Sequence, residues 1–204
     1  MLTPRDRLAT DKVKERSFCG ISERRICRRD FLAAGLVVSA SCFFPLRAVA
    51  SVTEVFPLEK ELSFYNTHTG ESTTAVYWRQ GAYLPHAMVD INYILRDFRT
   101  GEVKEIDPDL LNLLFALRHK LESTGPFHII SGYRSVETNL LLGARSNGVA
   151  NNSLHIKGKA IDIRLPGYEL QNLHRAAVSL RGGGVGYYPG SDFVHVDVGK
   201  IRYW

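Results

Sequence analysis

Beyond residue 50 this chain has no cysteine: all three, Cys19, Cys27 and Cys42, fall in the first fifty residues. A mature domain starting near Ser51 therefore has no disulfide and no thiolate to close a structural zinc site. A surplus of one charge is missing too. The chain has a formal net charge of +5, but ten of its 26 Lys and Arg and five of its 21 Asp and Glu lie in residues 1–50, leaving 16 of each sign. Nucleic-acid binding would need a basic face, and this balance offers none. The apolar run over residues 31–44 is short of the roughly 20 residues that a span needs, so no membrane span is expected in the mature form. There is no internal repeat and no low-complexity segment.

What is present begins with a leader. Arg28-Arg29-Asp30-Phe31-Leu32 opens the apolar run, and Ala48-Val-Ala50 follows it. A basic region, an apolar region and a small-x-small site make a cleavable signal over residues 1–50. Its paired arginines resemble a twin-arginine export signal, which implies a periplasmic destination. A lipoprotein box at Ser39-Ala-Ser-Cys42 ranks second, because the large aliphatic residue expected three before the Cys is absent. Residues 51–60 read as a linker and 61–204 as one domain, long enough to bury a single core.

Within that domain, β-prone runs at 62–66 and 74–78 flank a turn containing Gly70 and predict a hairpin. Leu84-Pro85 opens a helix to about Asp97, with Ala87, Ile91, Ile94 and Leu95 as its apolar stripe. Asp107-Pro108 caps a second helix, whose stripe is Leu110, Leu113, Leu114, Leu117 and Leu121. A strand at 127–131, a helix from Ser135 to about Ser146, a strand at 159–164 and a helix from Gly167 to about Arg181 follow. Strands at 184–188 and 193–198, joined through Pro189-Gly190, make a second hairpin. Two hairpins without strict alternation predict an α+β domain: a mostly antiparallel sheet with helices packed on it.

The densest chemistry lies in Ser153-Leu-His155-Ile-Lys-Gly-Lys-Ala-Ile-Asp162, read together with His195. His155, Asp162 and His195 make three ligands, and three ligands with an open position are what catalytic zinc requires. Asp192, three residues before His195, is placed to reach that open position as a base. Arg134, in Ser131-Gly-Tyr-Arg-Ser135, stands where a strand gives way to a helix and is placed to bind a carboxylate or a developing oxyanion. Asp197 shares a strand face with His195 and suits an acceptor that fixes an imidazole tautomer. Each residue also has an ordinary reading. Asp162 suits the solvated face of an edge strand, and a lone His195 is more often a satisfied histidine. Asp192 suits turn chemistry, and Arg134 a surface helix start. His68, His86, His119, His128 and His174 have no comparable setting.

Taken together, Ser-Gly-Tyr-Arg-Ser, Ser-x-His-x-x-Gly-x-Ala-x-Asp and Asp-Phe-Val-His-Val-Asp resemble the LAS metallopeptidases. That group takes in lysostaphin-type enzymes, D-Ala-D-Ala peptidases and the hedgehog amino-terminal domain. The murein endopeptidase K branch is the most similar, and Leu62-Ser-Phe-Tyr-Asn-Thr-His-Thr-Gly-Glu71 and Asn92-Tyr-Ile-Leu-Arg-Asp97 extend the likeness over the mature chain. The resemblance implies a hedgehog/D-Ala-D-Ala peptidase-like fold and Zn2+ held by His155, Asp162 and His195. It implies Asp192 as general base and Arg134 as a substrate or oxyanion contact. Some relatives carry a His two residues before the final ligand; here that position is Phe193. The implied protein is a monomeric, exported zinc peptidase acting on peptidoglycan stem peptides. A D-Ala-D-Ala carboxypeptidase or dipeptidase, and a non-catalytic zinc-bearing wall-binding module, are the alternatives.

Overall fold

A computed structural model describes residues 58–145, 150 and 152–204. The leader and most of the linker lie outside the described residues. Among the described residues, eight strands form a single sheet in the order β3-β2-β1-β4-β5-β7-β6-β8. The first hairpin is β1 (Glu59–Asn66) and β2 (Ser72–Arg79), with the two-residue β3 (Ala82–Tyr83) added outside β2. Helices α1 (Pro85–Ile94) and α2 (Pro108–Lys120) follow, then β4 (Phe127–Ser131) and α3 (Val136–Arg145). The chain ends with β5 (Ala160–Arg164), α4 (Leu170–Leu180), the second hairpin β6 (Gly184–Tyr188) and β7 (Phe193–Asp197), and β8 (Arg202–Tyr203).

The α+β class and both hairpins are as the sequence predicts, but the sheet is mixed. β1 pairs parallel with β4, and β6 with β8; the other pairs are antiparallel. The first parallel pair arises because α1 and α2 carry the chain back over the sheet before β4 begins. The second arises from β8, too short to leave an alternation signal. No helix among the described residues is long and apolar enough to cross a membrane.

The core lies between the sheet and the helices. Leu62, Phe64 and Tyr77 from the first hairpin, Phe127 and Ile129 from β4, and Ile161 and Ile163 from β5 are buried against Ile91, Leu110, Leu114 and Leu117. In α2 the buried set is Leu110, Leu111, Leu114 and Leu117. Leu113 and Leu121, expected in the stripe, sit half-buried at its margin, because the apolar arc is centred one residue away from the expected line.

Between α1 and α2 and after β4, backbone and side chains interlock. α1 ends at Ile94, short of the expected Asp97, because the Leu95 carbonyl is taken by the Tyr133 N–H at 2.7 Å. Asp97 is buried and accepts from the Ser135 N–H at 2.9 Å, the Ser135 hydroxyl at 2.7 Å and the Arg99 N–H at 2.9 Å. Burial alone would raise its pKa; hydrogen bonds from Thr138, Ser135 and Arg99 outweigh it and hold it at about 2. A depressed carboxylate contributes stability above its unfolded pKa and loses it as pH falls through the folded one. Asp97→Asn should therefore destabilise the domain at neutral pH. Denaturation of both proteins between pH 6 and pH 2 should show the gap narrowing below the ordinary carboxylate pKa of about 4. A gap constant down to pH 2 would remove Asp97 from this role.

Candidate metal centre

The sheet itself brings two of the three predicted ligands together. β5 lies at the middle of the sheet, so Asp162 is on no edge strand. The β5–β7 register sets Asp162 directly beside His195, and alternation turns both side chains to one face. The third, His155, comes from a short 3-10 turn, Leu154–Lys157, whose cap Ser153 accepts from the His155 N–H at 3.3 Å. All three are buried.

Their donor atoms form a triangle. His195 Nδ1 lies 2.8 Å from Asp162 Oδ1, His155 Nε2 lies 3.3 Å from the same oxygen, and the two nitrogens are 3.2 Å apart. Ligands at about 2.0–2.1 Å from a tetrahedral ion are about 3.3 Å from one another, so the triangle suits an ion of that size. The outward nitrogens fix which atoms face inward. His155 Nδ1 is 2.8 Å from the Gly132 carbonyl, and His195 Nε2 is 3.0 Å from Asp197 Oδ2. With the ring protons donated there, the lone pairs of Nε2 and Nδ1 converge with Asp162 Oδ1.

Two nitrogen lone pairs and a carboxylate brought together out of water call for a cation. Burial disfavours charge on His195, but hydrogen bonds to Asp162 and Asp197 prevail and raise its pKa to about 9. Burial likewise works against the Asp162 carboxylate, and the two imidazoles hold it well below the usual range. A field that favours positive charge on this ring also favours a cation held among the three groups. Among the described residues, these three are the group of His, Cys, Asp and Glu side chains arranged to hold a metal. His68, His86, His119, His128 and His174 take no part; His68 instead stacks on Phe98 and bonds to the Ile130 carbonyl.

The remaining predicted residues divide. Arg134 is close: its Nη2 lies 3.4 Å from Asp162 Oδ2 and 3.3 Å from the Ser131 hydroxyl. It is largely buried, which lowers its pKa, and its Nε has no partner among the described residues. Asp197 is fully buried behind His195, and accepts further from the Gly184 and Gly199 N–H groups and from Arg202. Asp192 is not brought into the triangle. It ends the 3-10 turn Pro189–Ser191 in a left-handed conformation, and its exposed carboxylate pairs with Arg164 at 2.7 Å. Arg164 lies two residues beyond Asp162, about 7 Å along the same strand face.

Three participants escaped the sequence reading. The Gly132 carbonyl orients His155, and a side chain at 132 would stand 2.5 Å from the Leu95 carbonyl oxygen, so only glycine fits that approach. The Ser-Gly-Tyr-Arg-Ser run contained this signal. Arg202 comes from β8 and Trp204 from the position just after it, and they left none. The triangle opens into a cleft of about 390 Å³, lined by Arg134, Asn152, Ser153, Tyr188, Phe193 and Trp204 among others. A groove of about 470 Å³ between β1 and the end of α2 holds no such cluster.

The chain matches the family model described as peptidoglycan L,D-endopeptidase MepK over residues 56–204. It is 42% identical over 177 residues to the peptidoglycan L,D-endopeptidase MepK of Escherichia coli strain K12, covering 87% of this chain and 96% of that protein. It is 38% identical over 178 residues to the probable peptidoglycan L,D-endopeptidase MepK of Haemophilus influenzae, covering 87% and 95%. A match across the whole described domain, including all three corners of the triangle, places this chain in the peptidoglycan L,D-endopeptidase MepK family.

Proposed function

We propose that this protein is an exported, zinc-dependent endopeptidase that hydrolyses peptide cross-links of peptidoglycan, with the L,D bond its relatives are named for as the target. The observation that carries the reading is the buried His155–Asp162–His195 triangle with one side open to a cleft. A structural site would be closed by a fourth protein ligand. The motifs that carry the family resemblance support a hedgehog/D-Ala-D-Ala peptidase-like fold. The leader at residues 1–50 supports a periplasmic location reached by the twin-arginine route. The names of the relatives favour an endopeptidase over a carboxypeptidase or a non-catalytic wall-binding module.

His155 Nε2, Asp162 Oδ1 and His195 Nδ1 would hold the ion. A divalent zinc there supplies Lewis acidity toward the scissile carbonyl and lowers the pKa of an attacking water. Gly132 and Asp197 keep the two imidazoles in the tautomers that face inward. Arg134, beside Asp162 at the cleft wall, steadies the developing oxyanion or a stem-peptide carboxylate. Asp192 takes the proton of the attacking water and passes it to the leaving amine. For this its carboxylate must leave Arg164 and turn toward the cleft, where its neighbours Ser191 and Phe193 already form part of the wall. Catalytic contacts that are loose without substrate commonly tighten in the complex.

Three measurements test this reading. Purified mature protein should hold about one zinc per chain by elemental analysis, and His155→Ala should lose both metal and turnover; full occupancy in the variant would strike His155 from the ligand set. Asp192→Asn should keep folding and zinc near wild type while turnover of cross-linked muropeptides falls roughly a hundredfold or more. Undiminished turnover would leave Asp192 as the turn residue that pairs with Arg164, and loss of zinc would make it structural. Replacing Arg28 and Arg29 together with Lys should retain the precursor in the cytoplasm; unchanged periplasmic accumulation would point to the general secretory route.

A further inference from the structure

The edge of the sheet beyond β7 is built around two missing side chains. β6 reads Gly184-Val-Gly186, and Gly186 pairs directly with His195 of β7. A Cβ at 184 would stand 2.5 Å from Asp197 Oδ2 and 2.6 Å from Arg202 Nη1, and one at 186 would stand 2.6 Å from the Trp204 indole. The space at 184 is thus taken by the Asp197 carboxylate and Arg202, and that at 186 by Trp204; Arg202 reaches over β6 from β8 and Trp204 from the position just after it. The Trp204 N–H donates to the Val185 carbonyl at 3.2 Å, and the Tyr187 N–H to the Trp204 carbonyl at 2.9 Å.

Both side chains are fixed at their far ends. Arg202 gives Asp197 two bonds, 3.2 Å from Nη1 to Oδ1 and 2.7 Å from Nη2 to Oδ2. The Trp204 indole N–H donates to the Tyr188 hydroxyl at 2.7 Å, and its ring lies 5.3 Å from the His195 imidazole. Tyr188 in turn stacks on Phe193 at 4.6 Å. Trp204, Tyr188 and Phe193 all line the cleft, and Trp204 is 49% exposed. A large ring locked in one orientation, next to a candidate centre and half open to water, has lost its freedom before any ligand arrives. Covering it then releases water from apolar surface at little further entropic cost.

Sheet order gives the wall its polarity. Arg134, joined to β4 and touching Asp162 of β5, lies on one side of the triangle, and Trp204, laid over β6, lies on the other. Arg202 is engaged by Asp197, which leaves the β6–β8 side aromatic in character. We propose that Trp204 is a substrate-contacting residue whose indole, with Tyr188, takes an aliphatic carbon segment of the peptide, while carboxylate recognition stays on the Arg134 side. This rests on the peptidoglycan-peptidase reading above and adds the specificity element of the same site.

The chain has two tryptophans, Trp78 and Trp204, so Trp78→Phe makes emission a report on Trp204 alone. Titrating that variant with cross-linked muropeptide should change its fluorescence saturably. Unchanged emission at concentrations that saturate turnover would overturn the proposal. In parallel, Trp204→Ala should raise KM about ten- to a hundredfold, the scale of one lost aromatic contact, with kcat and zinc content close to wild type. Trp204→Phe should recover most of the loss. A fall in kcat at unchanged KM, or loss of zinc, would make Trp204 a support of His195 and not a substrate contact. Failure of the wild-type protein to release products from muropeptides would sink the enzymatic reading by itself; the fluorescence titration would still report whether the wall binds the peptide.

Discussion

A carboxylate at the centre of an eight-stranded sheet sets the terms for everything around it. Asp162 stands on β5 with strands on both sides and with the buried Ile161 and Ile163 as its neighbours in the chain. An ionised group in that position is costly unless it is matched. The match comes from three directions: His195 across the β5–β7 ladder, His155 from the turn before β5, and Arg134 from the turn after β4. Each partner is a nitrogen base or a cation, and each approaches from a different element. The arrangement is therefore a convergence of the fold, and the site cannot form before the sheet does.

The partners are themselves held. Gly132 orients His155 through its carbonyl, and the turn that carries Gly132 is bonded to Leu95 and, through Ser135, to the buried Asp97. Asp197 fixes His195 from behind, and four groups donate to Asp197: His195, Gly184, Gly199 and Arg202. Such outer contacts decide which ring nitrogen faces the centre, and hence whether two imidazoles can share one ion. They also explain the crowding of short polar motifs around otherwise ordinary strands. Ser-Gly-Tyr-Arg-Ser is at once a close backbone crossing, a hydrogen-bond acceptor for a histidine and the base of an arginine. Membership of the MepK family agrees with a centre so fully braced on one side and open on the other.

The two flanks of the cleft differ in chemistry. On the β4 side the wall is cationic, through Arg134. On the β6 side it is aromatic, through Tyr188, Phe193 and Trp204. Arg202 adds no free cation to that side, because both of its terminal nitrogens are given to Asp197. A peptide lying across the triangle would thus meet charge at one end and apolar surface at the other.

Much of this was legible in the residues alone. Alternation and turn signals marked both hairpins and the strands that bear Asp162 and His195, because period-two patterning and Gly-containing turns are local properties. The spacing of His155, Asp162 and His195 marked a candidate ligand set, and Asp197 was legible as the acceptor behind His195 because the two share a strand face. The tertiary structure decided what depends on register between distant segments. It made Asp162 a central residue and not an edge one, and it turned Asp192 toward Arg164 instead of the triangle. It also paired β1 with β4 and β6 with β8 in parallel, and laid Arg202 and Trp204 in the space left by two glycines. Neither a two-residue strand nor an empty side-chain position leaves a periodic trace in a sequence. Both take on meaning only when the chain segment that fills the gap has been folded against it.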